Sequence, residues 1–177
     1  LQGSSILQRS GIAQSARAGK YAVETYKATL NDLNITVAND PGQFDRIHAS
    51  ALAVLADPTG PYSGMSKLAL QGLTEITNTE LAKSAINGVI YQQGAPNRAI
   101  DLLRSDKFAD LLSSDDQTAL LSAARTHSNN QRSEHRAQVA AARAADKDAR
   151  DARARDLTNQ TLKATDGEGN YPSPKDV

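Results

Sequence analysis

The sequence predicts an all-α protein: antiparallel helices and helical hairpins, followed by one very long Ala/Arg-rich helix. Three observations predict it. The 177 residues include 29 Ala against 2 Phe, 5 Tyr and no Trp. Alanine favours helix more than any other residue and adds little buried area, which suits closely packed helices rather than a thick sheet core. Apolar residues recur at separations of three, four and seven, the helical period. The period-two alternation of strands is absent except in the short "LNITV" at 33–37.

A first helix is expected over 5–37, with Ile6, Ile12, Ala16, Val23, Tyr26, Leu30 and Leu33 on its apolar side. Gly11 and Gly19 weaken it and allow a break there. "NDPGQFDR" then punctuates the chain: Asp40 caps, Pro41 takes the first helical position, and Gln43 completes a near capping box. The helix it opens carries Phe44, Ile47, Ala51, Val54 and Leu55 on one face and stops at "ADPTGPYSG".

A third helix is expected from about Ser63 to Gln93, bearing Met65, Leu68, Leu73, Ile76, Leu81, Ile86, Val89 and Ile90. Gly94 ends it. Pro96 starts a short helix whose Ile100 and Leu103 pack back, and Phe108, Leu111 and Leu112 make a last apolar cluster. In "SSDDQTALL", Ser114 and Gln117 read as a capping-box pair, with Asp115 and Asp116 in the dipole-favoured first turn.

From Ser114 to about Thr165 nothing breaks the helix, giving a length of about 75 Å. Its first turns carry Leu120, Leu121 and Ala124, enough to dock on the preceding helices. Beyond His127 the large apolar side chains thin out to Val139, Leu157 and Leu162. Asp146 with Arg150, Lys147 with Asp151, and Asp151 with Arg155 stand four apart as surface charge pairs. A narrow alanine stripe, Ala137, Ala141 (or Ala140), Ala144, Ala145 and Ala152, lets another helix approach closely. This helix is expected to project as a rod, to cross between parts of a larger protein, or to pack through that stripe against copies of itself or a neighbouring chain.

The domain reading is therefore 1–113 as a helical bundle or repeat-like region, 114–165 as the extended helix and 166–177 as a linker. The chain opens on Leu and closes on "YPSPKDV", where Ser173, Pro174 and Asp176 occupy N-cap, first and third helical positions. Together these read as a piece of a larger polypeptide, its end either a further helix begun or a Pro-containing tail.

Lys+Arg 20 and Asp+Glu 20 cancel, so no net field steers the chain toward nucleic acid or membrane. Residues 125–156 do hold eight basic residues against five acids. The interleaved Asp makes this a solvated face first and a phosphate-binding surface second. Cysteine is absent, which removes thiolate chemistry, and no apolar run reaches a membrane span. His127 and His135 are eight apart, about 12 Å along a helix and too far to share an ion. His48 reads as a packed or surface imidazole. The acids fall mostly in caps and helix pairs, and no phosphate loop, nucleophile elbow or zinc-protease motif occurs. No catalytic residue, cofactor or metal is expected.

Residues 85–138 hold a helix ending in Gly-x-Pro, a short helix with Ala and paired Leu, and a "Leu-Ser-x-x-Asp" cap opening a long Ala/Arg/Glu-rich helix. The positions are Gly94, Pro96, Ala99, Leu102, Leu103, Leu112, Ser113 and Asp116. This pattern resembles the helical region of very large bacteriophage internal virion (ejection) proteins. The resemblance implies a structural segment that sits in the virion interior and enters the host envelope at infection, helping to form a genome-delivery conduit. The implied partners are further copies of the chain or other virion proteins, with transient contact with DNA. Some such proteins carry a lytic transglycosylase that uses Glu-Ser in a helix; this sequence contains no Glu-Ser, so that activity is not carried over. Two other readings remain open: a helical-repeat adaptor with a partner-binding groove within 44–112, and part of a peptidoglycan-degrading virion protein.

Overall fold

The structure is a computed structural model that describes the backbone of residues 3–167 and the side chains of residues 19–162. It is all-α, and the described residues contain no strand. Helix α1 spans Gly3–Asn39, α2 Phe44–Ala56, α3 Lys67–Asn87, α4 Pro96–Arg104 and α5 Ser114–Gly167. The chain divides into two compact units between Asn129 and Asn130, inside α5; the sequence reading separates 1–113 from 114–165. Most of 166–177, including Ser173, Pro174 and Asp176, lies outside the described residues.

Helix α1 runs unbroken through Gly11 and Gly19 and absorbs "LNITV", with Val37 fully buried. The side chains of Ile6, Ile12 and Ala16 lie outside the described residues. The connection to α2 is a 3-10 turn, Pro41–Gln43. Asp40 caps it, accepting from the Gly42 amide at 3.1 Å and from the Gln43 amide group at 2.8 Å. Gln43 thus closes on the Asp40 carboxylate, a variation on the reciprocal capping box.

Along α2, Phe44, Ile47, Ala51 and Leu55 turn inward. Val54 shares that face by spacing but is 44% exposed, because it lines an open groove between α1 and α2. The turn after α2 is organised by Asp57, whose carboxylate accepts from the Thr59 amide and hydroxyl, both at 2.8 Å. Those bonds, led by the Thr59 amide, hold the Asp57 carboxyl below its ordinary pKa.

Helix α3 starts later than the sequence suggests, at Lys67, because Ser66 caps it by accepting from the Ala69 amide at 3.2 Å. Of the apolar residues it bears, Leu68 is 80% exposed and Ile76 39% exposed. The buried face uses Leu73, Thr77, Leu81, Ala82, Ala85 and Ile86 instead. Only one side of α3 meets α1 and α2, so apolar residues outside that side stay in solvent.

The last turn of α3 widens into a π-turn, Gly88–Gln92. The turn begins at Gly88, where α3 meets the end of α1. A Cβ there would overlap the Ala38 carbonyl oxygen and lie 2.7 Å from Pro41 Cγ and 2.9 Å from the Ala38 carbonyl carbon. Only glycine lets the two backbones meet, and the extra residue in the turn swings Val89 and Ile90 into the core, at 1% and 0% exposure. Gly94 ends the turn with φ of 59°, the left-handed conformation glycine accepts freely. Pro96 then opens α4, which buries Pro96, Ala99 and Leu103.

Phe108 packs against Phe44 with tilted rings, their centres 5.0 Å apart. Lys107 reaches across to Asp45 at 2.8 Å, its ammonium 5.6 Å from the Phe44 ring centre. These contacts fix the α4–α5 loop to α2. His48 bridges α2 to α3 through Asn78 at 2.7 Å and stacks on Phe44 at 5.2 Å, a packed imidazole.

The cap of α5 corrects the sequence reading by one residue. Ser113, not Ser114, accepts from the Asp116 amide at 3.1 Å, and its hydroxyl donates to the Asp116 carboxylate at 2.7 Å. Gln117 reaches the carbonyls of Ala109 and Leu112 instead. Asp116 also pairs with Lys83 of α3 at 2.8 Å. Leu120, Ala124 and Ser128 are buried, with Ser128 bonded to Asn97 and His127 edge-on to Tyr91 at 5.4 Å.

Candidate functional site

Beyond Asn129 the α5 sequence offers high helix propensity and almost nothing for a core. Every described residue from 130 to 162 is exposed except Gln131 and Val139, which are half-buried. Isolated helices hold only marginally in water, and those in proteins depend on tertiary packing of one face. This stretch has no such packing within the second unit. It therefore presents both its faces to whatever surrounds it.

The expected association face is present as geometry. At about 100° per residue, Ala137, Ala141, Ala144, Ala145 and Ala152 fall within an arc of about 100°. All five are exposed. Between 137 and 152 the only other side chain in that arc is Asp148. Small side chains let helix backbones approach closely, while each methyl buries little area, so contact through this face is weak and dependent on concentration. Of the expected charge pairs, Asp146 and Arg150 close to 2.6 Å. The pairs Lys147–Asp151 and Asp151–Arg155 do not close among the described residues; exposed side chains lose more rotamer freedom in pairing than such contacts return.

The described residues of the first unit include one open groove with a wall outside the expected 44–112 range and one that lies inside it. One lies between α1 and α2, with a volume of about 380 Å³. Tyr26, Leu33, Ile47, Ala51, Val54 and Tyr62 make it apolar, and Thr29, Thr36, Arg46 and Ser50 rim it. The other, of about 520 Å³, lies between α2 and α3 and is lined by Leu52, Leu55, Leu70 and Thr74 with Lys67 and Glu75 at its edge. The sequence signal for the first is the alternation of Arg46 and Ser50 with Ile47, Ala51 and Val54, a half-covered helix face. It marks the helix, and only the fold supplies the opposing wall.

Among the described residues no group of three or more His, Asp or Glu is placed to hold a metal ion. His127 and His135 are not brought together with other ligands. No described helix is long and apolar enough to cross a membrane.

Compared with known proteins, the chain matches no family model, no curated protein and no solved structure.

Proposed function

We propose that this chain is a non-enzymatic structural segment of a phage internal virion (ejection) protein, assembling with itself or with other virion proteins to help form a genome-delivery conduit. Its place is the virion interior, with passage into the host envelope at infection. The motif over residues 85–138 supports the family reading. The observation that carries the assembly reading is the exposed alanine face of α5, on the stretch beyond Asn129 that has no core of its own.

The sequence contains no Cys, so a cysteine scan tests assembly cleanly. Single cysteines at Ala137, Ala141, Ala144, Ala145 and Ala152 are compared with one at Arg143, on the far side of the helix. Helices meeting through the alanine face bring at least one of the five within disulfide reach, about 4.4–6.8 Å between Cα atoms. Oxidation then gives a cross-linked dimer from that position and not from Arg143→Cys. Dimers from neither set, or equally from both, count against the reading.

A second reading, a helical adaptor, is favoured by the open apolar groove between α1 and α2, whose α1 wall lies outside the 44–112 range the sequence reading gave it. A partner helix docked there covers Val54. Val54→Arg abolishes capture of such a partner and leaves α5-mediated assembly intact.

A further inference from the structure

The second unit's part of α5 sorts its charge by side, which a count along the chain conceals. At about 100° per residue, Arg132, Arg136, Arg143, Lys147 and Arg150 fall within an arc of about 60°. Their spacings of four, seven, four and three keep them aligned over about 27 Å of helix. All five are exposed. Asp146 borders this arc and is held by Arg150 at 2.6 Å. Glu134, Asp148 and Asp156 lie on the opposite side, with the alanines, while Asp151 borders the arc on its other edge, beside Lys147. Arg132, Arg136, Arg143 and Lys147 take no part in the ion pairs formed among the described residues. A chain of zero net charge thus carries a one-sided cationic ridge, and within a Debye length of about 10 Å the ridge, not the net charge, sets the local field.

We infer that this ridge binds duplex DNA through its phosphates, without reading base sequence. Charge complementarity selects a polyanion, since four of the five cations lack an acidic partner. The shape selects the duplex. An α-helix of about 10–12 Å diameter fits the DNA major groove, about 12 Å wide, whereas the deep, narrow groove of A-form RNA excludes side chains. The flanks at Ala140, Ala142 and Ala149 keep the helix slim beside the ridge. A span of about 27 Å covers roughly eight base pairs at about 3.4 Å each. An anionic membrane is a poorer match: a helix lying in a lipid surface needs a broad apolar face, and here only Val139 and Leu157 share the cationic side. The ridge lies opposite the alanine face, so the inference stands whether or not that face associates.

Fluorescence anisotropy of a short labelled DNA duplex with the full chain, at salt from about 50 mM to about 200 mM, tests it. Five phosphate contacts give a slope of log K against log salt of about −4.5. Arg132→Gln/Arg136→Gln/Arg143→Gln is expected to reduce the slope to about −2 and weaken binding about a hundredfold at the low-salt end. Circular dichroism of this variant is expected to retain the helical signal. Arg155→Gln, a cation on the alanine side, leaves affinity within about twofold, since it contacts no phosphate in this arrangement. The inference is overturned if the duplex does not bind at low salt. It is equally overturned if Arg155→Gln weakens binding as much as the ridge variant, or if phosphatidylserine vesicles bind the chain and DNA does not.

Discussion

Tyr26 donates its hydroxyl proton to Thr77 across the α1–α3 contact, the two oxygens 2.6 Å apart. The direction follows from the second bond Thr77 makes. Its single hydroxyl proton goes to the Leu73 carbonyl at 2.7 Å, so only its lone pairs face Tyr26. Thr77 is fully buried, Tyr26 is 2% exposed, and the Tyr62 ring closes over Tyr26 edge-on at 5.2 Å. Burial pushes the Tyr26 phenol above its ordinary pKa, with the Thr77 contact opposing.

This asymmetry predicts an order. Thr77→Val strands a buried phenol proton and is expected to cost about 1–3 kcal/mol, whereas Tyr26→Phe removes the donor cleanly and costs about 1 kcal/mol. Urea unfolding of both variants checks it. Tyr26→Phe the more damaging of the two contradicts the assigned direction.

The contact at Gly88 predicts two glycine substitutions of opposite sign. Gly88→Ala drives a methyl into the Ala38 backbone, which cannot swing aside as a side chain can, and is expected to destabilise by about 1–3 kcal/mol or more. Gly72→Ala, within α3, meets nothing within 4 Å and is expected to stabilise by about 0.4–1 kcal/mol. Thermal unfolding midpoints moving in the same direction for both contradict the account.

How far the sequence reveals the molecule depends on whether a signal is local. Asp40, Pro41, Gly94 and Pro96 act through their own backbones, and the element borders they mark appear where expected. Leu68 and Ile76 share the apolar pattern of α3 with its buried residues, and which side of α3 meets a neighbour is settled by the packing of α1 and α2, which no local spacing shows. The need for glycine at 88 is silent in sequence for a similar reason: it comes from the Ala38 backbone, far off in the chain. On α5 the alanine arc is visible by spacing, since one helix generates it. The grooves are not, because each needs two walls.

The cap of α5 separates two adjacent serines. Ser113→Ala is expected to cost about 0.5–2 kcal/mol, as losses of a bonded N-cap do. Ser114→Ala is expected to stay within about 0.5 kcal/mol, as surface changes do. Equilibrium unfolding of the pair decides between them, and equal effects contradict the cap assigned to Ser113.

The Lys83–Asp116 bridge predicts an acid sensitivity. Lys83 first, then Ser113, hold the Asp116 carboxyl below its ordinary pKa, and Asp116 holds the Lys83 ammonium above its own. The Asp116 contribution is complete above the unfolded carboxyl value of about 3.9 and is lost as pH falls through the lowered folded value. The Lys83 contribution is complete below about 10.4 and is lost as pH rises through the raised folded value. Asp116→Asn is therefore expected to flatten the loss of stability below about pH 4 relative to the unaltered chain. Parallel acid-unfolding curves contradict a role for this bridge.

We propose that the alanine face of α5 seeks a second helix. Sedimentation equilibrium of the full chain, from micromolar to about millimolar concentration, tests it most directly; at the upper limit an interaction of about 4 kcal/mol is half-saturated. The account predicts a weight-average mass that climbs from 18.8 kDa toward a multiple of it. It also predicts that Ala141→Glu/Ala145→Glu holds the mass at 18.8 kDa. An unaltered chain that stays at 18.8 kDa across the whole range contradicts it.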